Sequence, residues 1–324
     1  MKISRSKIVI VGAGLVGTTT AYNLVVQGVA AEIVLVDLNR EKAEGEALDM
    51  QHSMEFQRRN VAVRAGGYAE CADADIVIIT AAAPTDGNPD RRAALEKSAK
   101  IMRGIVPQVM ENGFDGIFLV VSNPVDAMSW LVWKLSGLPS SRVIGTGTIL
   151  ETARLKHLIA KEMMIDPRSV DAYVLGEHGD AMMIPWSHVR AGGKSFRHMV
   201  DGSNDRIRSI ALDSMVEEVR KSGGYVLKAK GNTQYGIAGA VTAIVKAVMH
   251  DENKIYAVSA YLNGEYGERG IFCGVPAILN RKGVEDIGEF HLTGEEARQF
   301  ANSASVIRES IARLAEYTGA SGRI

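Results

Sequence analysis

Short apolar runs alternate with helical patterns through the first half of the chain. Residues 7–11 (KIVIV), 32–37 (EIVLVD), 75–80 (DIVIIT), 116–121 (GIFLVV) and 142–145 (RVIG) are apolar almost throughout, without an in/out alternation. Such runs suit parallel strands covered by helices on both faces. Residues 15–27 carry helical spacing, and Gly28 suits the helix C-terminus. Right-handed crossovers between these strands predict an α/β, doubly wound parallel-sheet domain of the Rossmann type. The second half differs. Helices are predicted over 149–163, 205–221, 232–249 and 293–317, and strands over 169–175, 254–262 and 270–279. This mixed α+β pattern places a boundary near residue 146, giving units 1–146 and 147–324. The 232–249 segment is apolar on more than one face, which leaves room for a homo-oligomeric contact.

Composition narrows the function classes. A formal net charge of −1 offers no electrostatic handle for nucleic acid or an anionic membrane. No run approaches the roughly 18 consecutive apolar residues of a membrane span. The apolar run 8–11 meets glycine at once and reads as a strand, not a signal peptide. The two cysteines, Cys71 and Cys273, are far apart and read as reduced, buried thiols of a cytoplasmic protein. No metal site is expected.

Four motifs carry candidate chemistry. Gly12-Ala13-Gly14-Leu15-Val16-Gly17 follows the first strand and opens the first helix. Gly12 permits a tight turn, Gly14 lets backbone approach a pyrophosphate, and Gly17 lets helix pack on strand. Asp37, at the end of the second strand, is placed to bond ribose hydroxyls and to repel a 2′-phosphate, so NAD is expected over NADP. Gly176-Glu177-His178-Gly179-Asp180 puts a histidine in a turn after a strand, where it can exchange a proton near neutral pH. Glu151 and Arg154 share a helix face at i,i+3. A carboxylate behind an imidazole fixes its tautomer, and an arginine beside it can grip a substrate carboxylate through two parallel bonds. Residues 81–92 (AAAPTDGNPDRR) suit a lid, from which Arg91 or Arg92 could polarise a carbonyl. Ser122-Asn123-Pro124-Val125-Asp126 places an amide at a strand end.

Taken together, GAGLVG, the loop ending in Arg91, SNPVD, VIGTGTILETAR, GEHGD, KGNTQYG and VSAYLNGEYGERG with GVPAILNRKGV resemble the L-lactate/L-malate dehydrogenase family over essentially the whole chain, its bacterial lactate-specific members above all. The resemblance implies reversible hydride transfer between NADH and pyruvate. It implies His178 as proton donor and acceptor, Glu151 behind it, Arg154 on the substrate carboxylate, and Arg91 on the carbonyl. Asn123 would bond substrate and help place the nicotinamide, and Thr233 would line the substrate pocket. Thr80, Ala81, Ala82 and Val121, at strand ends, would lie beside the cofactor. Family members are usually dimers or tetramers.

Three positions depart from the family pattern. The acid before Thr-Ala-Arg is normally aspartate; here it is Glu151. Substrate choice is read six residues before the lid arginine, as glutamine for lactate or arginine for malate; here it is Thr85. Threonine cannot pair with a second carboxylate, so oxaloacetate should be poor. Its small size leaves L-2-hydroxyisocaproate-type activity on bulkier 2-oxo acids as an alternative, with malate dehydrogenase as another. Members activated by fructose 1,6-bisphosphate carry arginine and histidine where this chain has Lys156 and Asp171, so weak or absent activation is expected. An NAD-using glycoside hydrolase or a non-catalytic use of the fold would need a metal site or the loss of the catalytic set, and the motifs favour neither.

Overall fold

The computed structural model describes residues 5–82, 91–202, 207 and 210–318. The first half runs β1 (Lys7–Val11), α1 (Leu15–Gln27), β2 (Glu32–Val36), α2 (Arg40–His52), β3 (Ala62–Ala65), β4 (Ile76–Ile79), α3 (Arg91–Glu111), β5 (Ile117–Val120), α4 (Val125–Ser136) and β6 (Val143–Gly145). Its six strands are parallel and lie in the order β3-β2-β1-β4-β5-β6. The order reverses beside β1, which pairs Lys7 with Glu32 on one side and Ile8 with Ile76 on the other. That reversal opens a crevice at the strand carboxyl ends, where ligands of such sheets bind.

The apolar runs are explained by burial on both sides. Ile8, Ile10, Ile33 and Leu35 point into one core with α1, while Val9, Val11, Val34 and Val36 point into the other with α3 and α4. Helix α1 buries Gly17, Thr20, Ala21, Leu24 and Val25, an i, i+3, i+4, i+7, i+8 stripe. It ends as expected at Gly28, whose left-handed backbone (φ 60°) returns its N–H to Leu24 and Val25. Leu24 is fully buried, and truncating it to alanine would cost roughly 2–5 kcal/mol.

The second half contributes α5 (Ile149–Met163), β7 (Val170–Asp171), β8 (Arg190–Ala191), β9 (Lys194–Ser195), α6 (Phe196–Gly202), α7 (Leu212–Lys230), α8 (Tyr235–Met249), β10 (Lys254–Asn263), β11 (Arg269–Asn280), β12 (Gly283–Ile287) and α9 (Gly294–Thr318). Among the described residues, β10, β11 and β12 extend the first sheet antiparallel past β6, making nine strands, while β7, β8 and β9 form a small separate sheet. The sheet therefore continues across residue 146.

Two expected elements differ. The strand 169–175 is short: only Val170 and Asp171 pair in it, and Leu175 makes an isolated bridge to Met183. The helix expected to stop at residue 221 runs through Gly223 and Gly224 to Lys230. Among the described residues, no helix is long and apolar enough to cross a membrane.

Candidate active site

The turn after β1 is shaped by missing side chains. Gly12 has φ +111°, and a Cβ there would lie 2.7 Å from the Ala81 nitrogen. The Thr80 hydroxyl closes this junction by donating to the Gly12 carbonyl at 2.9 Å. A Cβ on Gly17 would stand 1.9 Å from that same carbonyl oxygen, so only glycine lets α1 approach β1 this closely. Gly14 is the exception: a Cβ there would meet nothing within 4 Å, so its bareness clears space on the open side. Helix α1 starts at Gly14 with no side-chain cap, which leaves its first N–H groups for an anion. Asp37 stands beside the turn, accepting from the Ala13 N–H at 2.7 Å and the Asn39 N–H at 2.9 Å. Ala13 is buried, Val16 and Val121 are half-buried, and Leu15 and Ala82 are exposed. A bare glycine, an uncapped helix end and an anchored carboxylate fit an adenine dinucleotide.

A second group assembles where α5, α4 and the His178 loop meet. The loop is held at several points. The Glu177 N–H donates to Ser303 Oγ at 2.7 Å, the His178 N–H to Asp126 Oδ2 at 2.9 Å, and the Ala181 N–H to Glu177 Oε2 at 2.9 Å. Gly176 bridges Gly274 on β11 with φ +95°. Glu151, in the first turn of α5, is only 4% exposed. Its Oε2 meets His178 Nδ1 at 3.1 Å, and its Oε1 accepts from Arg154 Nη1 at 3.1 Å. With Nδ1 engaged, the Nε2 edge of the imidazole is the one left for a reacting proton. The His178 side chain keeps 22% of its surface, enough for substrate contact.

The charges reinforce this arrangement. Burial works against the imidazolium, but the Glu151 carboxylate, by charge and hydrogen bond, with Asp126 and Glu177 further off, outweighs it and pushes His178 up to about 9. Burial likewise works against the Glu151 carboxylate, and His178 and Arg154 hold it below its usual range. Asp126 is pushed up to about 6 by burial, against hydrogen bonds from Ser259 and the His178 backbone.

Glu151, Arg154, His178, Asn123, Thr233, Val16 and Val121 line one cavity of about 350 Å³. Val16 links it to the glycine turn. Asn123 follows β5, and its carbonyl accepts from Ser98 at 2.7 Å. Gly12, Asp37 and Thr80 sit at the glycine turn after β1 instead. Thr85 and the side chains of Arg91 and Arg92 lie outside the described residues. Three residues here escaped the sequence reading. Asp126 accepts from both the His178 N–H and the Ser259 hydroxyl (2.5 Å), knitting α4, the His178 loop and β10. Gly223 and Gly224 form a wall of the cavity without side chains. A histidine pinned by a buried acid beside an arginine suits proton exchange on a small carboxylic acid.

Comparison with known proteins agrees with both halves. Residues 6–145 match the lactate/malate dehydrogenase NAD-binding domain, and residues 148–318 match the lactate/malate dehydrogenase alpha/beta C-terminal domain. The chain is 47% identical over 309 residues to L-lactate dehydrogenase 3 of Bacillus thuringiensis subsp. konkukian, covering 95% of this chain and 98% of that protein. It is 43% identical over 312 residues to L-lactate dehydrogenase 2 of Bacillus anthracis, covering 96% and 99%. Among solved structures, the ligand-bound minor L-lactate dehydrogenase of Enterococcus mundtii superposes with a TM-score of 0.92 at 44% identity, covering 96% of this chain and 98% of that one. A lactate dehydrogenase from a Medee basin deep-sea metagenome library gives 0.91 at 40% identity, covering 96% and 99%. The chain belongs to the lactate/malate dehydrogenase family, whose first domain binds NAD and whose members act as oxidoreductases on 2-hydroxy acids.

Proposed function

We propose that this chain is an NAD-dependent L-lactate dehydrogenase interconverting pyruvate and L-lactate. The observation that carries the reading is the single cavity holding His178, Glu151 and Arg154 next to Val16 of the glycine turn. Bound on Gly12–Gly17 and Asp37, with Ala13, Leu15, Thr80, Ala81, Ala82, Val121 and Asn123 around it, the dinucleotide supplies or accepts the hydride. The remaining work belongs to the chain. Arg154 grips the substrate carboxylate in a planar fork that lysine cannot reproduce. Asn123 bonds the substrate oxygen, and Thr233 lines the pocket. His178 gives its proton to the oxygen in reduction and takes it back in oxidation, with Glu151 holding the ring. By the family pattern, Arg91 acts on the carbonyl and Thr85 is the position that reads the substrate side chain; both side chains lie outside the described residues.

Residues 1–146 form the nucleotide unit and residues 147–324 the substrate unit, with the cavity between them. The protein acts as a homo-oligomer, a dimer or tetramer. Exposed Tyr22 and Val26 on α1 and Tyr225 and Leu227 on α7 support that assignment. Its two buried, unbonded cysteines suit the cytoplasm.

A second reading has its own observation. The wall at Gly223 and Gly224 carries no side chains, and a Cβ at Gly224 would meet nothing within 4 Å. That favours a bulkier 2-oxo acid. One assay panel decides: kcat/KM with NADH for pyruvate, 2-oxobutyrate, 2-oxoisocaproate and oxaloacetate. Pyruvate is expected to lead and oxaloacetate to trail. A 2-oxoisocaproate value above that for pyruvate moves the assignment to the second reading, and an oxaloacetate lead overturns both.

A further inference from the structure

Glu151 occupies a position that the sequence marks as a departure, and its geometry shows what the extra methylene does. The carboxylate is buried, and its two oxygens go to different partners: Oε2 to His178 Nδ1 and Oε1 to Arg154 Nη1, each at 3.1 Å. Arg154 is confined on its other side by α7, since a Cβ on Gly223 would stand 3.1 Å from Nη2. The guanidinium is thus set before any substrate arrives. An aspartate from the same helix turn falls short by about 1.5 Å, one C–C bond, and could not span the same pair of partners from an unchanged backbone.

We propose that Glu151 is a shared positioning residue: one carboxylate orients both the proton-exchanging histidine and the carboxylate-gripping arginine, so that substrate capture and proton donation are coupled. The inference rests on the roles proposed above for Arg154 and His178. Its physics is the sharing of one negative charge between two cations in a place poor in water. When a substrate carboxylate joins Arg154, it brings a second negative charge. The hold of Glu151 on the guanidinium is then less needed, and its charge falls more fully on the imidazole. The imidazolium is held more firmly in its protonated form at the moment a 2-oxo acid is bound, and this hold relaxes when the product leaves.

A double-mutant cycle tests this, using full-length enzyme with NADH. The His178 titration is followed by NMR of 15N-histidine-labelled protein in wild type, Arg154→Gln, Glu151→Gln and the double variant. If the arginine acts through Glu151, Arg154→Gln raises the His178 midpoint in the wild-type background, and the shift disappears when Glu151 is already glutamine. An equal shift in both backgrounds means direct repulsion between arginine and histidine, and overturns the proposal. Glu151→Asp gives an independent readout that does not depend on losing charge. It is expected to raise the pyruvate KM about 10-fold, as for loss of one charge-assisted hydrogen bond, while kcat falls less than about 3-fold. An unchanged KM in that variant also overturns the proposal. Arg154→Lys separates this from the underlying assignment. If its KM for pyruvate stays at the wild-type value, the substrate-gripping role itself falls. If its KM rises while the cycle shows no coupling, only the shared role of Glu151 falls.

Discussion

At the turn after β1, the protein works through backbone: Gly12, Gly14 and Gly17 are there for what they lack, and the turn offers N–H groups and an uncapped helix end. Around His178 the reverse holds. Glu151, Arg154, Asp126 and the imidazole are charged or titratable side chains gathered from α4, α5 and a loop, and held by hydrogen bonds spanning up to 133 residues. A backbone site can be written in six consecutive residues, because the turn itself is local. A side-chain site needs the whole fold to close before its members meet. The first should therefore fail sterically, through cofactor binding, and the second electrostatically, through substrate capture and turnover.

The largest separation between the two regions is expected from His178→Asn. Turnover should drop by roughly 10²–10⁴, the range for a general acid–base group, while the NADH dissociation constant stays within about 2-fold. A near-normal kcat removes His178 from the chemistry. Next comes Asp126→Ala, which strips a fully buried acceptor from the His178 N–H and the Ser259 hydroxyl. Urea unfolding should show a loss of about 3 kcal/mol, and kcat should fall with NADH binding preserved. If stability is kept, these bonds do not hold the His178 loop.

Gly17→Ala probes the other region. Its Cβ would stand 1.9 Å from a carbonyl oxygen, so the turn must distort. NADH should bind about 30-fold more weakly, equivalent to about 2 kcal/mol of local backbone strain, with kcat at saturation little changed. Unaltered NADH affinity, measured by fluorescence titration, would show that the turn is not the nucleotide seat.

A pH series sharpens the contrast further. Reduction needs the imidazolium, whose midpoint lies at about 9. Because that midpoint is raised, kcat/KM for pyruvate should hold below it and fall up to tenfold per unit above it. Lactate oxidation, which needs neutral imidazole, should rise up to tenfold per unit below that midpoint and level off above it. Binding through backbone N–H groups should not follow the same curve. The smallest effect is expected from fructose 1,6-bisphosphate, at less than about 2-fold in kcat/KM. Lys156 lies 5.6 Å over the Tyr173 ring, and burial with the nearby Lys254 charge lowers it against the Asp171 carboxylate. Strong activation would reverse that reading of Lys156 and Asp171.

The parts legible in advance follow the same division. Strands β1, β2, β4 and β5 stand out because two-sided burial makes them continuous apolar runs. Helix α2 escaped because REKAEGEALDMQH buries only Ala43, Ala47 and Met50. Helix α7 was cut short at the glycine pair, where local propensity costs about 1 kcal/mol per residue. Packing through Met215 and Val219, with the helix seated beside α5, carries it past them. The pairing of Glu151 with His178 is legible as a family pattern. How Glu151 divides its two oxygens was not, since side-chain reach depends on where α5 and the His178 loop come to rest. Asp126 lay in a quoted motif, yet its partners sit 52 and 133 residues away.

The sheet that crosses residue 146 has a mechanical consequence. Gly145 pairs with Ser259, and Gly147, at φ +53°, runs so close to β10 that a Cβ would lie 2.2 Å from the Ser259 nitrogen. A seam welded this tightly is a keel rather than a hinge. A continuous sheet of this kind favours closure by short local segments over a jaw-like swing of the two halves, against a frame whose alignment is settled when the chain folds.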